Sequence, residues 1–204
     1  MKILVLDAAG AWRSRRALAA LLRDAVEHGA SVGFTLPLSD GEIAGYWRGV
    51  RADLAAGRKV LLAAVDARGL CGSVQLGLEM RSNGRHRAEV QKLMVFHAAR
   101  GRGIGARLMT AVEAVARRRG RQLLFLDTSV GRGGAVGFYR KLGWIPCGGV
   151  PGYAADPDGS LHDNAIFYKR LSVRSARRRA GRVRAAPRAS TRTRRPSPPA
   201  GSPA

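Results

Sequence analysis

Val95-Phe96-His97-Ala98-Ala99-Arg100-Gly101-Arg102-Gly103-Ile104-Gly105-Ala106 is the stretch that decides how this 204-residue chain folds. An apolar run ends in a turn with glycine at three alternate positions, and a helical pattern begins at once behind it. Glycine lets backbone approach a ligand closely, and the first amides of a helix have no intrahelical acceptor. A strand–turn–helix of this composition therefore suits a phosphate or pyrophosphate. The Gly-x4-Gly-Lys-Ser/Thr string of a P-loop does not occur. A dinucleotide reading from Gly101 through Gly103 to Ala106 is spelled acceptably. Its context is wrong, because the turn follows several strands in mid-chain and Asp127 comes a few residues too late to be the ribose-binding acid.

Working outward, Ile104, Leu108, Val112 and Val115 make one apolar stripe that predicts a helix from Gly103 to Gly120. Gln122–Leu126 is a continuous apolar run ending at Asp127, the pattern of a buried strand. Further strands are predicted over Lys59–Val65, Cys71–Met80 and Ala88–Phe96, with turns at Asp66–Gly69 and Ser82–Arg85. Ser14–Glu27 and Asp40–Ala56 carry helical spacing, the second with Ser39 or Asp40 as its cap. Gly134–Leu142 reads as helix, Gly143–Gly148 as extended, and Asn164–Leu171 as a last alternating strand. The expected fold is mixed α/β (α+β), with one central, mostly antiparallel sheet flanked by helices.

Charge divides the chain. The formal net charge is +22, and ten arginines with no acid lie in residues 172–204, which leaves +12 on the rest. That segment also holds five prolines and almost no large apolar residue, so it is expected to be a disordered basic tail behind a folded domain spanning 1–171. Two accounts of the tail stand: salt-sensitive contact with nucleic acid or another polyanion, or an unselected extension of an Arg- and Ala-rich composition. No aromatic residue interleaves its arginines for base stacking. The two cysteines form no disulfide framework, and no Cys/His spacing resembles a metal site. Apolar runs are too short for a membrane span, and Asp7 interrupts the N-terminal one, so a cytoplasmic protein is expected.

Arg100-Gly101-Arg102-Gly103-Ile104-Gly105, preceded by Lys92-Leu93-Met94-Val95, resembles the acyl-CoA-binding motif of the GCN5-related N-acetyltransferase (GNAT) family. Phe138-Tyr139-Arg140-Lys141-Leu142-Gly143-Trp144 is similar to that family's second hallmark, in the correct order. The strings Gly29–Phe34, Arg87–Val95, Leu126-Asp127-Thr128, Pro151-Gly152-Tyr153 and Pro157–His162 further resemble the tabtoxin resistance acetyltransferase branch, which acts on a small amino-acid-like toxin.

The resemblance implies acetyl-CoA as co-substrate and no metal. It implies that Leu93, Met94 and Val95 hold the pantetheine arm, with the Leu93 and Val95 amides polarising the thioester carbonyl beside a strand bulge. Arg100, Gly101, Arg102, Gly103, Ile104, Gly105 and Ala106 would take the pyrophosphate, with Arg107 either adding charge or lying on a solvated helix face. Tyr139 is implied as general acid to the departing thiolate, because a phenol is protonated at neutral pH; a core aromatic is the alternative. Glu89 and Asp127 are implied to bind or deprotonate the acceptor ammonium. An exposed strand charge and a helix cap are their structural alternatives. One departure is Arg132, where many members carry a cofactor-contacting Asn.

The expected function is transfer of acetyl from acetyl-CoA to a primary amine of a small amino-acid-like, antibiotic or toxin substrate by direct attack, with antibiotic resistance as a plausible role. The alternatives are a protein or peptide N-acetyltransferase, and a degenerate acyltransferase fold that binds nucleic acid through its tail. Open strand edges allow a monomer or a homodimer.

Overall fold

The computed structural model describes residues 1–131 and 134–172. The basic segment 172–204, apart from Ser172 itself, and Arg132 lie outside the described residues.

Strand β1 (Lys2–Leu6) opens the chain, followed by helices α1 (Ala8–Arg13), α2 (Arg15–Glu27) and α3 (Asp40–Ala55). Then come β2 (Lys59–Asp66), β3 (Gly69–Leu78), β4 (Arg87–Val95), helix α4 (Ile104–Arg118), β5 (Leu123–Ser129) and helix α5 (Ala135–Lys141). The chain closes with β6 (Ile145–Gly148), a small hairpin of β7 (Ala154–Ala155) and β8 (Leu161–His162), and β9 (Asn164–Arg170). Seven strands form one sheet in the order β1-β2-β3-β4-β5-β9-β6. Every pairing is antiparallel except β4 with β5. The expected sheet is therefore present, with helices on both faces.

The capping serine of α3 is Ser39, whose Oγ accepts from the Glu42 N–H while Glu42 accepts from the Ser39 N–H, a reciprocal pair that fixes the helix start. On one face of the sheet, α4 buries Ile104, Leu108, Met109 and Val112 against Leu62, Val74, Leu76, Val90, Leu124 and Phe167. On the other, α2 and α3 bury Leu18, Leu21, Leu22, Trp47 and Val50 against Leu61 and Met94.

Three expectations are corrected. The chain begins with a strand and a short helix that the pattern did not announce. Five residues with Leu4 and Val5 exposed show no alternation, and the six residues of α1 give less than two helical turns. Strand β5 does not end at Asp127 but runs to Ser129, with Asp127 opposite Ile166. Asp127 consequently caps no helix, and the residue at the start of α5 is Gly134.

Candidate active site

The site grows out of the one parallel pairing. Strands β4 and β5 are in register only from Arg87 opposite Leu123 to Glu89 opposite Phe125. Past that point they part, so among the described residues the β5-facing edge of β4 from Val90 to Val95 has no strand beside it. A cleft between two strands of one sheet leaves backbone donors and acceptors open to a ligand that can take their place.

A bulge sits in that open stretch. Between the pairs Gln75–Gln91 and Ser73–Met94, β3 supplies one residue and β4 supplies two, Lys92 and Leu93. The extra residue inverts the alternation of β4. Ala88 and Val90 pack on the α4 side, and Leu93 and Val95 join them there, while Met94 belongs to the cluster under α2 and α3. Strict alternation would have placed Lys92 among Ala88 and Val90. The bulge avoids burying a lysine there, and Lys92 adopts φ 50°.

The chain then enters the glycine turn. His97–Ala99 form one tight turn, and Gly101 and Gly103 take φ 77° and φ 72°, backbone that a side-chain-bearing residue adopts only with strain. No side chain caps α4. Its bonding starts with the Arg107 N–H donating to the Gly103 carbonyl at 3.1 Å, and among the described residues the amides from Gly101 to Ala106 have no backbone acceptor. Among the described residues a Cβ on Gly101 or Gly103 would meet nothing within 4 Å, so the turn is open on that side. These observations fit a pyrophosphate at the start of a 15-residue helix. Arg102 reaches Asp66 at 3.5 Å, and the Arg107 guanidinium donates to the Met1 carbonyl at 3.1 Å. Phe138 of α5 packs against the first turn of α4, 3.4 Å from where a Gly105 Cβ would stand.

Tyr139 lies across the cleft on α5. Its ring is buried, 9% exposed, and packs edge-on to Phe138 and Trp144 and tilted against Phe167. Burial, with a smaller push from the nearby Asp127 charge, raises its phenol to about 12. The side chain is thus a core aromatic by packing and, at every physiological pH, a protonated hydroxyl close to Asp127.

On the other side, Glu89, Gln91, Gln75 and Lys59 form a polar ladder across β4, β3 and β2. Gln91 Nε2 donates to Glu89 at 2.7 Å, Lys59 Nζ donates to the side-chain oxygens of both Gln75 and Gln91 at 3.1 Å, and Gln75 Nε2 donates to the Tyr46 hydroxyl at 2.7 Å. Tyr46 stands edge-on to Phe34. Glu89 is partly buried and hydrogen-bonded rather than an exposed strand charge. Asp127 is exposed on β5, beyond the end of the parallel pairing.

The structure therefore gathers Glu89, Asp127 and Lys92 around the splayed strands, with Tyr139 beside Asp127 and Arg100–Ala106 at the mouth of the cleft. Lys92 and the Lys59 ladder were not singled out from the sequence as site residues. The available signal was a lysine at the parity of Ala88 and Val90.

A family model described as the acetyltransferase (GNAT) family matches residues 7–144, and the chain belongs to that family. Members of this family use acetyl-CoA as co-substrate. A protein of Azospirillum brasilense called IAA acetyltransferase is 34% identical over 87 residues, which is 43% of this chain. The match spans 54% of that relative's length. The fold is shared with a ribosomal-protein-alanine N-acetyltransferase from Brucella melitensis (TM-score 0.70, 23% identity, 84% of this chain and 100% of that one). It is shared also with yncA of Salmonella typhimurium, solved with its cofactor acetyl-CoA (TM-score 0.69, 18% identity, 86% and 96%). An aminoglycoside 6'-N-acetyltransferase in complex with coenzyme A is similar as well (TM-score 0.64, 20% identity, 83% and 97%). Among the described residues no helix is long and apolar enough to cross a membrane.

Proposed function

We propose that this protein transfers an acetyl group from acetyl-CoA directly to the primary amine of a small amino-acid-like, antibiotic or toxin acceptor. The observation that carries the reading is the splayed β4–β5 cleft, with a bulge on one wall and a glycine-lined helix start at its mouth. When bound, acetyl-CoA supplies an activated thioester; everything else falls to this chain. The Gly101–Ala106 amides hold the pyrophosphate, and the open β4 backbone at Leu93, Met94 and Val95 receives the pantetheine arm in the place of the missing neighbouring strand. The Leu93 and Val95 amides donate to the thioester oxygen as it gains charge. The acceptor must arrive as a neutral amine, although an alkylammonium has a pKa of about 10. Asp127 and Glu89 bind that ammonium and draw off its proton, directly or through water. Tyr139 returns a proton to the departing sulfur.

The tabtoxin-branch strings and the aminoglycoside enzyme's fold support a small acceptor, and a resistance role is consistent with both. The test is acetyl transfer by the full chain to a panel of small amines, followed as thiol release. Asp127→Asn is expected to lower kcat/KM on the best acceptor by about 10²-fold, the size of a lost general base. Equal rates in the variant would remove Asp127 from the proton path.

A further inference from the structure

Lys92 is the most unusual residue beside the cleft. It is the only residue other than glycine with positive φ among the described residues, at 50°. Such backbone is strained for a residue that carries a side chain. The side chain is also partly buried, yet its ammonium has no hydrogen bond or ion pair among the described residues. Its Nζ is not one of the fully buried polar atoms that lack a partner, so water reaches it while no protein group among the described residues holds it. Lys59, two strands over on β2, shows the contrast: two glutamine oxygens hold its ammonium at 3.1 Å each. The ladder satisfies Lys59 and leaves Lys92 open.

The surroundings give that open cation a direction. The bulge turns Lys92 away from Val90, toward Asp127 and Glu89, whose charges it feels. Burial, with the Lys59 charge, holds its pKa below the ordinary lysine value, and Asp127 and Glu89 oppose that shift. The α2–α3 loop passes over it, since a Cβ on Gly33 would stand 3.1 Å from Lys92 Nζ. That loop is tied down on both sides of Gly33. Ser31 Oγ meets His162 Nε2 at 2.8 Å, and the Leu36 N–H donates to the Pro157 carbonyl at 2.8 Å.

We propose that Lys92 is the specificity-determining residue of the acceptor site. Its ammonium pairs with a carboxylate of the acceptor, so the preferred substrate is a small amino acid or amino-acid-like zwitterion whose amine is presented to Asp127 and Glu89. This rests on the acetyl-transfer reading of the same cleft. Charge matching favours the zwitterion. Lys59 and Lys92 balance Glu89 and Asp127, so a zwitterion leaves the site neutral, whereas a polyamine or other polycation places further positive charge beside Lys92.

The experiment uses the full chain with acetyl-CoA and matched acceptors: the common amino acids, their carboxamides, and their decarboxylated amines. Acetylated product is measured, and calorimetric binding of acetyl-CoA reports that each variant is folded. Acids are expected to exceed their carboxamides by at least about tenfold in kcat/KM, expressed in KM, as for a charge-assisted pair worth about 1.4 kcal/mol. Lys92→Met is expected to bring that ratio close to one through KM, and Lys92→Arg to restore most of it. Equal use of acids and carboxamides by the unmodified chain, or retained discrimination in Lys92→Met, overturns the inference and leaves acetyl transfer standing. So does acetyl-CoA binding with no carboxylated amine acetylated. Absence of acetyl-CoA binding overturns the parent reading, and this inference with it.

Discussion

Tyr139→Phe is expected to lower kcat by about 10²–10³-fold, within the range that a positioned acid contributes. The substitution removes one oxygen and keeps the ring that packs on Phe138, Trp144 and Phe167, so the α5–sheet contact survives. The loss should therefore appear in turnover and not in acetyl-CoA affinity. Because burial raises the phenol to about 12, the acid stays protonated through neutral and mildly alkaline pH, and the wild-type rate should show no alkaline limb from this residue. The same shift has a stability consequence. A phenol of pKa about 10 when unfolded and about 12 when folded binds more protons in the folded state between those values. Its contribution is fully present below pH 10 and is lost as pH rises toward 12. Steady-state kinetics and alkaline denaturation of the two proteins check both statements. Unchanged kcat in Tyr139→Phe would leave the tyrosine with packing alone.

Gly103→Val should weaken acetyl-CoA binding by about five- to thirtyfold. Gly103 stands at φ 72°, where a β-branched residue is strained by about 1–2 kcal/mol, and each 1.4 kcal/mol passed on to the bound state is about tenfold. Space is not the obstacle, since a Cβ there meets nothing within 4 Å. The penalty falls on the backbone that aims the Ile104–Ala106 amides. Calorimetry on the full chain isolates this effect, because the basic segment 172–204 is identical in both proteins and any loose attraction of coenzyme phosphates to its arginines cancels. An unaltered affinity would place the pyrophosphate elsewhere.

How much of this was legible in the sequence depended on the length of each pattern. Helix α4 was readable because Ile104, Leu108, Val112 and Val115 repeat over about three turns, and α3 because helical spacing follows a Ser39 or Asp40 cap. Strand β1 was not, because five residues are too few to set a period and the adjacent apolar residues Leu4 and Val5 are both exposed. Residues Arg100–Ala106 and Tyr139 stood out as candidates through glycine spacing and motif resemblance, both local. The meeting of Glu89, Asp127 and Lys92 was not local. It depends on where β4 and β5 stop pairing and on one inserted residue at Lys92–Leu93, features set by register and invisible to composition.

The most direct test of the central claim is the amide spectrum of the ¹⁵N-labelled full chain, recorded as acetyl-CoA is added. A ligand in the cleft should shift Leu93–Val95 and Arg100–Ala106 together, saturating at one equivalent, with smaller changes at Tyr139 and its neighbours. Shifts confined to residues 172–204, or strong binding that leaves 93–106 unmoved, would contradict the account.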